Sequence, residues 1–210
     1  MKKKIDTEFR VSHFVGLSGV GGVQRNFSEY MKLEITNGNE STHKIYTIGD
    51  VDSQYQFNKK IFNILKVVNL LSLISDIISK TKIVHFYNNL TSLKVAIFLL
   101  FLPTANLIIH ERGSAWNLPS KYGFILRFIA WKSDLILANS KATKTLLKKK
   151  FGISDNKIIV IYNGVNTSID DQKKSFEDKE CFYIGFLGRL DTPKGAHTLI
   201  EAMHILKNQN

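Results

Sequence analysis

Two cations flank one short turn near the end of the chain. In "GFLGRLDTPKGAHTLIEAMHIL" (185–206), Arg189 and Lys194 bracket a loop that delivers a helix starting near Gly195. A helix N-terminus offers unpaired backbone N–H groups and the positive end of the helix dipole, and nearby cations add to both. Arg189 would fork onto a phosphate and Lys194 would supply a point charge. The competing reading is a solvated turn whose cations are incidental. A second anion site is suggested in "GLSGVGGVQR" (16–25), where Gly16, Gly19, Gly21 and Gly22 are four glycines in seven positions. They follow a strand candidate and precede a helix candidate near Gly22, the arrangement that lets an anion approach the backbone closely. The spacing is not the dinucleotide fingerprint, because Gln24 stands where its third glycine belongs. Nor is it a Walker loop, since no G-K-[ST] follows. A plain tight turn is the alternative.

The elements that must position these loops alternate. Runs rich in β-branched and aromatic residues read as strands: "FRVSHFVG" (9–16), "HKIYTIG" (43–49), "KIVHFYN" (82–88), "NLIIHE" (106–111), "DLILANS" (134–140), "KIIVIYNGV" (157–165) and "CFYIGFLGRL" (181–190). Helical spacing lies between them, as at Val23, Phe27, Tyr30, Met31 and Glu34. "KATKTLLKKKFG" opens after Ser140, a good N-cap, and ends at Gly152, a good C-cap. Strand, helix, strand, repeated, predicts an α/β fold, a parallel sheet with helices on both faces. The strands are apolar almost throughout, as expected of a sheet covered on both sides.

Composition bounds the rest. The chain has 210 residues, of which 44% are hydrophobic, enough for a sizeable core. The single Cys181 excludes an internal disulfide and fits a reducing compartment. Lys and Arg number 29 against 18 Asp and Glu, a net charge of +11, which suggests an anionic membrane surface, a phosphorylated substrate or nucleic acid, or merely lysine-rich surfaces. No apolar leader follows the basic start. "FNILKVVNLLSLISDIISK" (62–80) carries a polar face and "VAIFLLFL" (95–102) has eight residues before Pro103. A membrane span needs about 20 apolar residues, so both read as buried or half-buried helices.

"GGVQR", "ANS" (138–140), "YNGVN" (162–166) and "GRLDTPKGAHTLIEA" (188–202) occur in the order found in retaining glycosyltransferases of family four, and the chain resembles that family over nearly its whole length. The resemblance implies the GT-B architecture, two Rossmann-like domains facing across a cleft. It implies that Gly21 and Gly22 face the donor phosphates and that Arg189 and Lys194 hold the diphosphate of a nucleotide sugar. His110 matches a cleft histidine near the reacting sugar, with a core-edge histidine bonded to backbone as the alternative; Glu111 and Arg112 are weaker candidates for acceptor contact. The substrates implied are a nucleotide-sugar donor and a lipid-linked or saccharide acceptor in surface polysaccharide synthesis. No metal or other cofactor is expected, no clustered carboxylate or His/Cys site being visible, and no nucleic acid.

The same resemblance implies an acceptor-side domain at 1–170, a linker at 171–180 and the first strand and helix of a donor-side domain at 181–210. The family's E-x7-E element has no counterpart here, so the expectation is a truncated chain, inactive alone. A non-catalytic remnant or subunit needing a partner for donor binding is the alternative, and a nucleotide-sugar epimerase a lesser rival. The expected location is cytoplasmic, peripheral on the cytoplasmic face of the inner membrane.

Overall fold

A computed structural model of the chain describes residues 11–19, 21–39, 42–47, 50–58, 64–66, 83–87, 93–100, 102, 106–119, 122–164, 183–188, 190 and 192–208. The chain divides into two compact units, Met1–Val165 and Asn166–Asn210. In the first unit, strands β1 (Val11–Phe14), β2 (His43–Thr47), β3 (Ile64–Lys66), β4 (Ile83–Tyr87), β5 (Asn106–Glu111), β6 (Leu135–Ala138) and β7 (Ile158–Val160) form one sheet. Its order is β3-β2-β1-β4-β5-β6-β7, and every pairing is parallel. The helices are α1 (Gly22–Thr36), α2 (Leu93–Leu100), α3 (Gly123–Lys132) and α4 (Lys141–Phe151). The chain builds outward from β1 to β3, returns to β4 and builds the other way. Right-handed crossovers then force the helices of the two halves onto opposite faces.

Side chains alternate between those faces with the period of a strand. Phe14, Tyr46, Val84, Phe86, Leu107, Ile109 and Ile136 share a core with residues of α2, α3 and α4, including Leu99, Leu126, Ile129 and Leu147. The other core gathers Val15, Leu17, Ile45 and Tyr87 under Phe27 and Met31 of α1. Local chemistry agrees with the global plan for α4. The Ser140 hydroxyl accepts a hydrogen bond from the Thr143 N–H, and Gly152 closes the helix at φ 68°.

Two sequence expectations are corrected. Ile64–Lys66, expected inside a helix over 62–80, pairs as edge strand β3 with Ile45–Thr47. A short apolar run satisfies helix and strand patterns alike, and an available sheet edge decided it. The remainder of that segment lies outside the described residues. "CFYIGFLGRL" was expected as a strand, yet 183–187 has no strand structure and is exposed. A strand exists only through a ladder to a neighbour, and among the described residues of the second unit none is available. What is regular there is a 3-10 turn, Thr192–Lys194, leading through Gly195 (φ 73°) into helix α5 (Ala196–Lys207), none of whose residues is buried.

Lys157 closes the open end of α3. Its Nζ donates to the carbonyl oxygens of Ala130 (3.2 Å), Trp131 (2.9 Å) and Ser133 (2.9 Å). The last carbonyls of a helix have no partner within it, and a cation there also meets the negative end of the dipole. Lys157→Met keeps the stem and removes the donor. It should lower stability by about 1–2 kcal/mol, read from the midpoint of urea unfolding, while leaving helix content unchanged.

Candidate functional site

In an open parallel sheet, ligands bind beyond the carboxyl ends of the strands, where the strand order reverses. Here the reversal falls between β1 and β4. A cavity of about 240 Å³ lined by Val84, Leu99, Leu102, Asn106 and Asp134 opens instead near Asn106, the first residue of β5, at the opposite edge. The edge that the topology favours carries the glycine loop, the end of β5 and the "ANS" segment.

The glycine loop is built as a helix start. Gly19 takes φ 72°, a conformation that favours glycine, and Gly21 is the extended N-cap of α1. No side chain makes a capping hydrogen bond to α1 and its first turn has no acidic residue, while Gln24 Oε1 lies 2.6 Å from where a Cβ on Gly21 would stand. Neither Gly21 nor Gly22 has a positive φ. At Gly22 a Cβ would meet nothing within 4 Å.

His110 ends a row of imidazoles that the sequence reading missed. His13 and His85 are register partners on β1 and β4, and His110 is the partner of Tyr87. Alternation places these side chains on the α1 face. The ring centroids are 5.2 Å apart for His13–His43, 5.6 Å for His13–His85 and 5.9 Å for His85–His110. At one end the Glu34 carboxylate lies 3.5 Å from His43 Nε2, and His43 Nδ1 is 2.9 Å from His13 Nε2. At the other end neither ring nitrogen of His110 has a hydrogen-bond partner, although both are buried. A satisfied core-edge histidine bonded to backbone would look different. The signal was present in three strands, "VSHF", "IVHF" and "LIIH".

Next along β5, Glu111 points to the opposite face and is fully buried. Its Oε1 accepts from the N–H groups of Gly113 (2.7 Å) and Ala115 (3.0 Å). That departs from the expected acceptor contact: the carboxylate shapes the turn after β5, where Gly113 takes φ 116°. Arg112 Nη2 donates to Asn163 Oδ1, joining that turn to the segment after β7. "ANS" is likewise a scaffold. Thr143 Oγ1 lies 3.0 Å from both Asn139 Oδ1 and Ser140 Oγ, and Trp116 Nε1 donates to it at 3.4 Å. In the second unit, Lys194 sits on the 3-10 turn before α5, whose Gly195 N-cap has no side-chain partner. Arg189 lies outside the described residues. Among the described residues no group of His, Cys, Asp or Glu has the arrangement of a metal site.

Burial keeps the row neutral. It pushes His85 down to about 3 and His110 to about 4, each helped by the Arg112 charge and His85 also by His110. His13 is held well below its ordinary 6.5 by burial and then by His85 and His43; burial also lowers His43, against the pull of Glu34. The unfolded chain takes up these protons near 6.5, so between there and about 4 it binds more protons than the folded state. The stabilisation is therefore complete above 6.5 and lost as pH falls through that window. Urea unfolding should show a falling midpoint between about pH 7 and pH 4.5. His13→Phe, which keeps a ring and removes a proton site, should flatten that slope.

HepE of Anabaena, solved in complex with UDP-glucose, superposes with a TM-score of 0.55 at 15% identity, covering 75% of this chain and 44% of its own. The same protein in complex with UDP gives 0.55 at 16%, with the same coverage. A glycosyltransferase from Rickettsia africae ESF-5 gives 0.56 at 22%, covering 76% of this chain and 44% of its own. At these identities the likeness is one of fold, a Rossmann-like unit of GT-B type. This chain thus spans less than half the length of those structures. The curated proteins give no match. Residues 53–169 match the family described as Glycosyltransferase Family 4, more than half of the chain. The chain belongs to glycosyltransferase family 4.

Proposed function

We propose that this chain is the acceptor-side part of a retaining hexosyltransferase, which moves a sugar from a nucleotide donor to a lipid-linked or saccharide acceptor in surface polysaccharide synthesis. The observation that carries the reading is the edge at the carboxyl ends of β1 and β5. There an uncapped helix start follows the glycine loop, and a neutral His110 keeps both ring nitrogens unpartnered. A neutral imidazole offers one N–H and one lone pair, which suits a hydroxyl, itself both donor and acceptor. Amides at the start of α1 suit a phosphate. The leaving group of such a transfer is a nucleoside diphosphate. Fixed dipoles and the cations of Arg189 and Lys194 would stabilise the charge growing on it. HepE, which shares the fold, was solved with UDP-glucose, and this supports a UDP-linked donor.

The acceptor's membrane is suggested by the outer surface of α2 and α3. Leu93, Ile97 and Leu100 of α2 and Phe124 and Trp131 of α3 are exposed. Lys132 Nζ stands 5.9 Å from the Trp131 ring centroid. Large apolar tips interleaved with cations suit the boundary of an anionic bilayer, with the +11 net charge adding long-range attraction. Among the described residues no helix is long and apolar enough to cross a membrane; the contact proposed is peripheral, on the cytoplasmic face. A Phe124→Ser, Trp131→Ser double variant should lose most of its co-flotation with phosphatidylglycerol vesicles. Flotation equal to that of the parent chain would remove this support.

The catalytic reading is tested by transfer of radiolabelled sugar from UDP-glucose to membrane-extracted acceptors. The enzyme would be this chain extended by the donor-side half of a family member. Lys194→Ala and His110→Ala should each lower turnover about 10- to 100-fold, the equivalent of one lost charge-assisted or buried hydrogen bond. Melting temperatures should barely change. Gly22→Val is a third variant: among the described residues a Cβ there meets nothing within 4 Å, so lost turnover with an unchanged melting temperature reports space needed by ligand. Unchanged turnover in all three contradicts the reading.

A further inference from the structure

The hydrogen-bonding groups that usually fix a functional histidine are missing at His110. Its Nδ1 and Nε2 are both buried and both without a partner, so no hydrogen bond sets the plane of the ring. Its ring neighbours lie on β4, and Leu137 of β6 is its register partner on the other side. The His85 ring lies 5.9 Å away and within 12° of parallel, and the Tyr87 ring lies 5.5 Å away at 42°. His85 and Tyr87 are themselves packed together at 4.2 Å. His85 Nε2 is also buried without a hydrogen-bond partner, so His85 is held by packing as well.

The packing is anchored from the far side. His13 stands beside His85 across the β1–β4 ladder, with its ring edge against Phe27 and Tyr30 of α1. Its Nε2 is 2.9 Å from His43 Nδ1, and the opposite nitrogen of His43 faces Glu34. An ionised carboxylate only accepts, so it requires the proton of His43 on Nε2. His43 Nδ1 is then an acceptor, and His13 must donate through Nε2. One carboxylate on α1 thus sets the protonation pattern of two rings and the position of the ring that abuts His85.

We propose that His85 is a positioning residue, whose ring face, backed by the Glu34–His43–His13 chain, sets the plane of the His110 imidazole at the carboxyl edge of the sheet. The groups facing His85 are His13, His110, Tyr87 and Arg112; those facing His110 are His85, Tyr87 and Arg112. With those groups around it, a ring that must meet a substrate hydroxyl is held without spending either nitrogen. Neither is taken by a protein partner. This rests on the reading of His110 as a residue that meets substrate.

The test reads the ring itself. His85→Leu fills the space without a ring face, and His85→Phe keeps the face and removes the nitrogens. Heteronuclear NMR of the 210-residue chain follows the His110 ring carbons and protons in both, with the melting temperature as a check on folding. The expected result is His110 ring signals close to those of the parent in His85→Phe, displaced and broadened in His85→Leu. Parent-like His110 signals in folded His85→Leu overturn the proposal. Should that variant not fold, His85→Phe decides alone: retained signals support it, and displaced signals overturn it by assigning the role to the nitrogens. In the transfer assay of the extended protein, His85→Leu should lower kcat about tenfold or more with the donor KM unchanged, as a misplaced catalytic group would. If instead His110→Ala is fully active, the transferase reading fails while the ring measurement stands.

Discussion

A parallel sheet cannot be joined by hairpins, so every strand is followed by a crossover that returns the chain to its starting edge. All the carboxyl ends therefore lie along one edge. Residues far apart in sequence, such as Gly21 and His110, are placed on that edge by the topology alone. The same constraint makes both faces apolar, because helices cover them. In this chain the demand is met unequally. On one face α2, α3 and α4 bury Val84, Phe86, Ile109 and Ile136. On the other, α1 covers β1 and β2, while Ile108 and His110 of β5 are half-buried.

That unequal cover gives the histidine row its character. Four imidazoles in a face that is otherwise core would be costly if charged, and burial keeps them neutral. Neutral rings pack as flat apolar bodies yet retain polar edges. At the covered end His13 Nε2, both nitrogens of His43 and Glu34 meet one another, while His13 Nδ1 is buried without a partner. At the half-covered end the polar edges are unspent, and that end coincides with the carboxyl edge. His110 is the ring of the row that leaves both nitrogens unpartnered, and it stands at the edge where the topology puts a ligand.

Much of this was legible in sequence because local chemistry agreed with the fold. "NLIIHE" is β5 residue for residue, and Ser140 and Gly152 bound α4 as their cap chemistry requires. The helix Gly123–Lys132 escaped because "GFILRFIAWK" is apolar on most of its surface and starts at Tyr122 without a side-chain cap. β3 escaped because three residues carry no period. Strand alternation already implied that Glu111 and His110 face opposite ways. The histidine row was hidden for another reason. Each histidine was visible, but their adjacency depends on interstrand register, which the order of strands sets and a single sequence does not display.

We propose that substrate meets this chain at the carboxyl edge of β1 and β5. Amide NMR of the chain titrated with UDP-glucose to millimolar concentration tests it most directly. The predicted result is signals moving at Gly21, Gly22, Val23 and Gln24 and at His110, Glu111, Arg112 and Gly113, with Asn106 and Asp134 at the opposite edge unmoved. Shifts confined to Asn106, Lys132 and Asp134, around the cavity at that opposite edge, or no shifts at all, would contradict it.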